Sequence, residues 1–391
     1  MSADPFVISI SDERLEDLRR RLRSTNWPPD EENADWRYGT NGQYLRELVE
    51  YWSETFDWRA SEAAMNAWPG FRAVIDDHPI HFLHVKGRGP NPRPLILTHG
   101  WPWTFWDFHE VIGPLTDPEA HGGDPADAFD VVIPSLPGYT FSTPLPRAGQ
   151  NWWRTADLWV QLMRDVLGYD TFLAHGGDWG ALVTMQLGHA HSAHCRGIHL
   201  SNAFPMPVFA GPRPWALPPP AEGLSADDLE ATTQWERRFA AHIAVHMLGP
   251  QTLSYAMHDS PVGLMAWMLE RRRSWGDTNG TPESRFSKDF LCTTMSLFWL
   301  TDSFVSSTRY YREAAAHPWQ PAHDRTPVIE VPTGLSLFRH DLPRGPLDWT
   351  EAFYNRVLLR VHESGGHFAA KEEPVRIVED VRETFRGLSS G

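Results

Sequence analysis

Apolar residues along the chain follow two periodicities that divide it. Near the start, Leu15, Leu18 and Leu22 share one face of a stretch that Ser11 can cap, with Asp12 and Glu13 in its first turn. A helix is predicted there, stopped by Trp27-Pro28-Pro29. A second helix is predicted over 42–54, and an irregular Trp-rich stretch then leads to Phe71. From Phe71 onward, short apolar runs alternate with helical stretches; the runs are 80–85, 94–98, 131–134, 171–174, 197–200, 334–338 and 357–361. Such alternation predicts a largely parallel sheet covered on both faces. The alternation breaks between Phe204 and His317. That segment opens with seven prolines between Pro205 and Pro220, which join core to insertion, and then reads as helices over 225–247, 263–273 and 288–313. The fold class is therefore α/β, with an arm over 1–70, a core over 71–203 and 318–391, and a helical lid over 204–317.

Composition narrows the function. The 391 residues carry 35 basic and 50 acidic side chains, a formal net charge of −15. No basic stripe is present to neutralise phosphates, so a nucleic-acid partner is not expected. The N-terminus has no basic-then-apolar signal pattern, and no run reaches the roughly 18 apolar residues of a membrane span. Cys195 and Cys292 cannot build a disulfide framework, which points to a reducing cytoplasm. The unusual feature is 19 tryptophans beside 19 histidines.

The most informative segment is TFLAHGGDWGALVTMQL. An apolar strand ends at His175, and Gly176-Gly177-Asp178-Trp179-Gly180 runs directly into a helix. A nucleophile on a sharp strand-to-helix turn needs small residues two before and two after it, and Gly176 and Gly180 supply them. The common version has serine at the centre; here it is Asp178. A carboxylate can attack an electrophilic carbon and form an ester without first losing a proton. Read alone, Asp178 is equally an ordinary helix N-cap.

Two further segments favour the nucleophile. His99-Gly100-Trp101-Pro102 follows the strand PLILT, where a backbone N–H can join the one after the nucleophile in an oxyanion hole; the donors are then Trp101 and Trp179. Asp341 follows the strand GLSLF, and His367 follows VLLRV. Nucleophile, acid and histidine thus occur in the order this layout requires, each just past a strand's C-terminal end. His367 can activate water while Asp341 orients it and stabilises the imidazolium.

At this point the sequence resembles the epoxide hydrolase family, in its microsomal-type branch with an N-terminal meander. The resemblance spans nearly the whole chain through FDWR, HGWP, GGDWG, DSPVGL, RYY, VPTG with LFRHD, and GGHFAA-x-EEP. It implies an α/β-hydrolase core with an inserted helical lid. It further implies Asp178 as nucleophile, His367 as general base and Asp341 as charge-relay acid. Tyr311 matches one of two lid tyrosines that hold and protonate the epoxide oxygen. The positional match for the other falls on His242, a departure from the family pattern. His242 is then either a second donor or a packing residue, and His246, one turn later, shares its face.

The resemblance implies a cofactor-free enzyme without metal, acting on a small-molecule epoxide and water. The expected product is a vicinal diol formed through an aspartyl ester; a homodimer stays open. The substrate is expected to be a bulky apolar or aromatic epoxide, met in detoxification or natural-product tailoring. Trp103, Trp106, Trp152 and Trp153 are expected to wall the pocket, while Trp27, Trp36 and Trp58 pack the arm. Rival readings are a haloalkane dehalogenase, which does not need Tyr311, and a non-catalytic binding protein of the same fold. His362 and His367 fail the metal-helix spacing, since Gly366 stands where the second histidine would be. His189, His191, His194 and His199 read as residues suited to a helix C-terminus rather than a metal site.

Overall fold

The computed structural model describes residues 2–209, 225–341 and 347–388. Nine strands among them form one sheet: β1 (Asp4–Pro5), β2 (Gly70–Ile75), β3 (His78–Val85), β4 (Arg93–Thr98), β5 (Phe129–Pro134), β6 (Phe172–Gly176), β7 (Cys195–Leu200), β8 (Ile329–Phe338) and β9 (Tyr354–His362). Their order is β1-β2-β3-β5-β4-β6-β7-β8-β9. The first three strands pair antiparallel, and β3 meets β5 antiparallel. From β5 to β9 every pairing is parallel.

All seven apolar runs of the sequence form strands. The strand β5 is buried throughout, as is β6, because helices cover both faces of the sheet. The strand β2 was not anticipated. It pairs with β3 across Asp76 and Asp77, both at positive φ (47° and 64°), the conformation of a tight two-residue hairpin turn.

The first arm helix is Asp12–Arg23, with the Ser11 side chain accepting from Arg14 N–H and Leu15, Leu18 and Leu22 buried. The second spans Gly42–Glu50 and continues through a wider turn to Thr55. The stretch expected to be irregular contains a helix, Trp58–Asn66, capped by Asp57. Trp27 lies under Arg46, Trp36 against Tyr44, and Trp58 donates to Glu62, so these three pack the arm.

Between β7 and β8 the predicted long helices are broken. The 225–247 helix divides at Ala240 into Ala226–Phe239 and Ala241–Leu248. The 288–313 helix divides at 301–303 into Lys288–Leu300 and Phe304–Ala316, where Asp302 adopts φ 55°. Pro250–Asp259 and Pro261–Trp275 complete this insertion. Of the proline-rich stretch, residues 210–220 lie outside the described residues. Among the described residues, no helix is long and apolar enough to cross a membrane. Cys195 and Cys292 are free and buried.

The topology opens a crevice where the chemistry is expected. From β4 the chain passes to β5 on one side, then crosses to β6 on the other. Loops leaving the C-terminal ends of β4 and β6 therefore diverge, leaving room for a ligand between them. Thr98 and Gly176 are register partners on these strands, so the loops carrying Trp101 and Asp178 start side by side.

Candidate active site

Asp178 sits between β6 and the helix Trp179–Ala190 with φ 53° and ψ −124°, a conformation disfavoured for residues with a side chain. The flanking glycines permit it. A Cβ at Gly180 would lie 1.9 Å from Thr98 O, and one at Gly176 would lie 2.2 Å from Gly180 O. Asn202, just past β7, accepts from Asp178 N–H at 2.7 Å. Its amide also donates to Asp341 Oδ2, so one side chain ties the elbow to the acid.

The carboxylate of Asp178 has two differently placed oxygens. Trp101 N–H donates to Oδ1 at 2.7 Å, while Oδ2 faces His367 Nε2 at 3.4 Å. Trp179 N–H follows Asp178 directly in the chain and, first in its helix, has no intrahelical acceptor. His367 Nδ1 pairs with Asp341 Oδ1 at 3.0 Å. His367 is 4% exposed. Burial opposes its charge, yet Asp341 first and Asp178 second outweigh that and push the imidazole up to about 10.

The insertion forms the roof. Tyr311, on Phe304–Ala316, shares a hydrogen bond of 3.0 Å with His242 Nε2 on the neighbouring helix Ala241–Leu248. The Tyr311 ring stands edge-on to Trp179 at 4.6 Å and to Trp101 at 6.0 Å, above the residues that flank the nucleophile. Its neighbour Tyr310 turns instead to Thr155 Oγ1 at 2.6 Å. Burial pushes the Tyr311 hydroxyl well above its ordinary range, reinforced by the charge of Asp178. His242 stacks on Trp101 at 5.2 Å and 9°. Burial first, and the nearby Arg271 charge after it, push His242 well below 6.5, so it is neutral. His246 lies edge-on to Trp101 but accepts from Trp267 Nε1 at 3.2 Å, which leaves the contact with Tyr311 Oη to His242.

The structure thus brings together Asp178, His367, Asp341, Tyr311, His242, Trp101 and Trp179. Sequence reasoning missed Asn202 and, apart from Trp103, the aromatic surround of His367. Trp275 and Trp103 stand edge-on to its ring at 5.0 and 5.6 Å, with Phe239 at 5.6 Å and Phe368 at 5.3 Å. The other expected wall residues pack elsewhere: Trp106 on His109, Trp152 on Trp319, and Trp153 with its indole N–H on His317 O.

The remaining histidines have separate partners. His362 ends β9 rather than lying on a helix, and pairs with Asp380 at 2.6 Å. His189 bonds Val328 O, His191 bonds Asp157, His194 bonds Asp170 O, and His199 bonds His175. Among the described residues, no group of three or more His, Cys, Asp or Glu is arranged to hold a metal ion.

Comparison with known proteins agrees with this layout. Residues 3–108 match the epoxide hydrolase N-terminus family and residues 93–290 the alpha/beta hydrolase fold. A putative epoxide hydrolase of Stigmatella aurantiaca is 41% identical, covering 98% of this chain and 85% of that protein. Epoxide hydrolase 1 of Sus scrofa is 33% identical, covering 99% of this chain and 89% of that protein. The structure of Aspergillus niger epoxide hydrolase superposes with a TM-score of 0.83 at 31% identity, over 100% of this chain and 97% of that one. The chain belongs to the microsomal-type epoxide hydrolase family and is an epoxide hydrolase built on the α/β-hydrolase fold.

Proposed function

We propose that the protein hydrolyses its epoxide through a covalent ester on Asp178. The observation that carries this reading is the division of labour on one carboxylate. Trp101 N–H holds Oδ1 at 2.7 Å, leaving Oδ2 facing the site and His367. Oδ2 attacks an epoxide carbon, the carbon–oxygen bond of the ring breaks, and Tyr311 O–H donates to the leaving oxygen. His242, neutral and hydrogen-bonded to Tyr311, supports that donor as the counterpart of a second tyrosine.

Ester formation also changes the base. While Asp178 is ionised, His367 lies between two carboxylates and is held protonated. Esterification removes one of those charges; His367 then gives up its proton, which restores the Tyr311 hydroxyl through solvent, and as a neutral imidazole it can take a proton from water and return it to the departing oxygen. The water attacks the ester carbon, Asp341 stabilises the imidazolium, and the N–H groups of Trp101 and Trp179 receive the developing oxyanion at Oδ1. The acyl bond breaks, the vicinal diol leaves, and Asp178 is restored.

Residues 204–317 serve as the lid over a core of 71–203 and 318–391, with 1–70 as the arm. The aromatic rings of Trp101, Trp179, Trp275 and Phe239 around the polar centre suit a bulky apolar or aromatic epoxide. Two buried free thiols suit a cytoplasmic setting. The test is mass spectrometry of His367→Gln mixed with styrene oxide. The adduct is expected on the peptide containing Asp178; an unmodified Asp178 with diol still formed rejects the scheme.

A further inference from the structure

The loop carrying His367 is held against the lid turn that follows Trp275. His367 N–H donates to Trp275 O at 3.0 Å, and Gly365 N–H donates to Asp277 Oδ2 at 3.0 Å. A Cβ on Gly366 would stand 2.6 Å from Trp275 O and 2.8 Å from Asp277 N, so this approach depends on glycine.

Beneath the contact lies Glu372, 7% exposed. Its Oε1 accepts from Phe368 N–H at 2.9 Å, and its Oε2 accepts from Asp277 N–H at 2.6 Å. Phe368 directly follows the catalytic histidine, whereas Asp277 lies 95 residues away in sequence. A buried carboxylate is costly unless its oxygens are satisfied. Closing the short helix Ala369–Glu372 onto Phe368 N–H engages one oxygen; the other reaches across to the lid.

We propose that Glu372 is a positioning residue for the water step: by accepting from Phe368 N–H and Asp277 N–H together, it clamps the His367 loop to the lid and fixes the imidazole between Asp341 and Asp178. This inference rests on the reading of His367 as general base. Ring opening uses Asp178 on the elbow and Tyr311 on Phe304–Ala316, which are separate elements from the clamp. Loosening the clamp therefore slows ester hydrolysis and spares ester formation.

Glu372→Gln tests this, because the amide presents one acceptor and one donor where two acceptors stood. The variant is mixed rapidly with styrene oxide and quenched; ester on the Asp178 peptide and released diol are followed in time. Ester formation is expected to stay within about twofold of wild type while hydrolysis slows about tenfold or more, so ester accumulates. Gly366→Ala wedges the same contact from its other side and is expected to show the same split; it decides the matter if Glu372→Gln does not fold. Unchanged hydrolysis in both variants overturns the proposal, as does an equal slowing of both steps. A His367→Gln control run beside them separates the two ideas. Ester in that control with none in the clamp variants sinks the clamp alone, whereas no ester in the control sinks the covalent reading beneath it.

Discussion

The floor and the roof of the site each bury histidine, with opposite electrostatic results. On the floor, His367 lies between Asp341 and Asp178, and their charges push it up to about 10 in spite of its burial. In the roof, His242 and His246 are buried among aromatic rings, where burial pushes both well below 6.5. Burial alone neutralises an imidazole; two carboxylates at contact distance reverse that. The difference matches the proposed tasks. The floor histidine needs a charge that ester formation can switch off, and the roof histidine needs to stay neutral beside a hydroxyl that donates.

The largest expected effect comes from separating the two regions. Arg272, on the roof helix Pro261–Trp275, donates to Asp107 Oδ1 at 2.7 Å and to Pro102 O at 2.9 Å beside Trp101. Both members of this ion pair are fully buried. Arg272→Met leaves Asp107 buried without its cation and is expected to destabilise the fold by about 3–5 kcal/mol in denaturant titrations. A loss below about 1 kcal/mol would mean that roof and floor are held together by other contacts.

Tyr311→Phe removes the roof donor while keeping its ring. Ester formation is expected to slow by about 10²–10³-fold, in line with loss of one transition-state donor, with hydrolysis of any ester formed unaffected. Rapid-quench kinetics reads the two steps separately. Unchanged ring opening would mean that the leaving oxygen takes its proton from a group other than Tyr311.

His242→Gln asks how much the neutral roof histidine adds. A decrease of about tenfold in ring opening is expected if it supports Tyr311 through their hydrogen bond. Unchanged ring opening with a lowered melting temperature would make His242 a packing residue.

A separate effect, spread over several pH units, is in the pH dependence of stability. His367 titrates near 6.5 when unfolded and at about 10 when folded. Its contribution is full below about 6.5 and is lost as pH rises through about 10. The buried neutral histidines His99 and His175, lowered to about 4, act in the opposite sense. Their contribution is present above about 6.5 and is lost as pH falls from there toward about 4. Thermal unfolding across this range is expected to show both losses. Asp178→Asn, which removes one of the two carboxylates facing His367, is expected to shrink the alkaline loss and leave the acid one.

Legibility followed the range of each interaction. The elbow could be read because Gly176, Asp178 and Gly180 act within five residues, and HGWP because it directly follows its strand. Asp341 and His367 were found by their places after apolar runs. Asn202 and Glu372 escaped because each works by accepting from a backbone N–H far away in sequence, a partner that carries no residue signature. The aromatic surround was misassigned for a similar reason: among 19 tryptophans, residue type cannot separate Trp275, beside His367, from Trp152, beside Trp319. The break at Ala240 has no glycine or proline to mark it. The β2–β3 turn did have a signal in Asp76-Asp77 between two apolar runs.

The covalent step is tested most directly by a single turnover in isotopically heavy water, with enzyme in excess over styrene oxide. Attack by Asp178 predicts a first diol that carries light oxygen from the carboxylate, and an Asp178 peptide that gains one heavy oxygen. Heavy oxygen in the first diol, with Asp178 unlabelled, would contradict the ester and make His367 the base for direct attack of water on the epoxide.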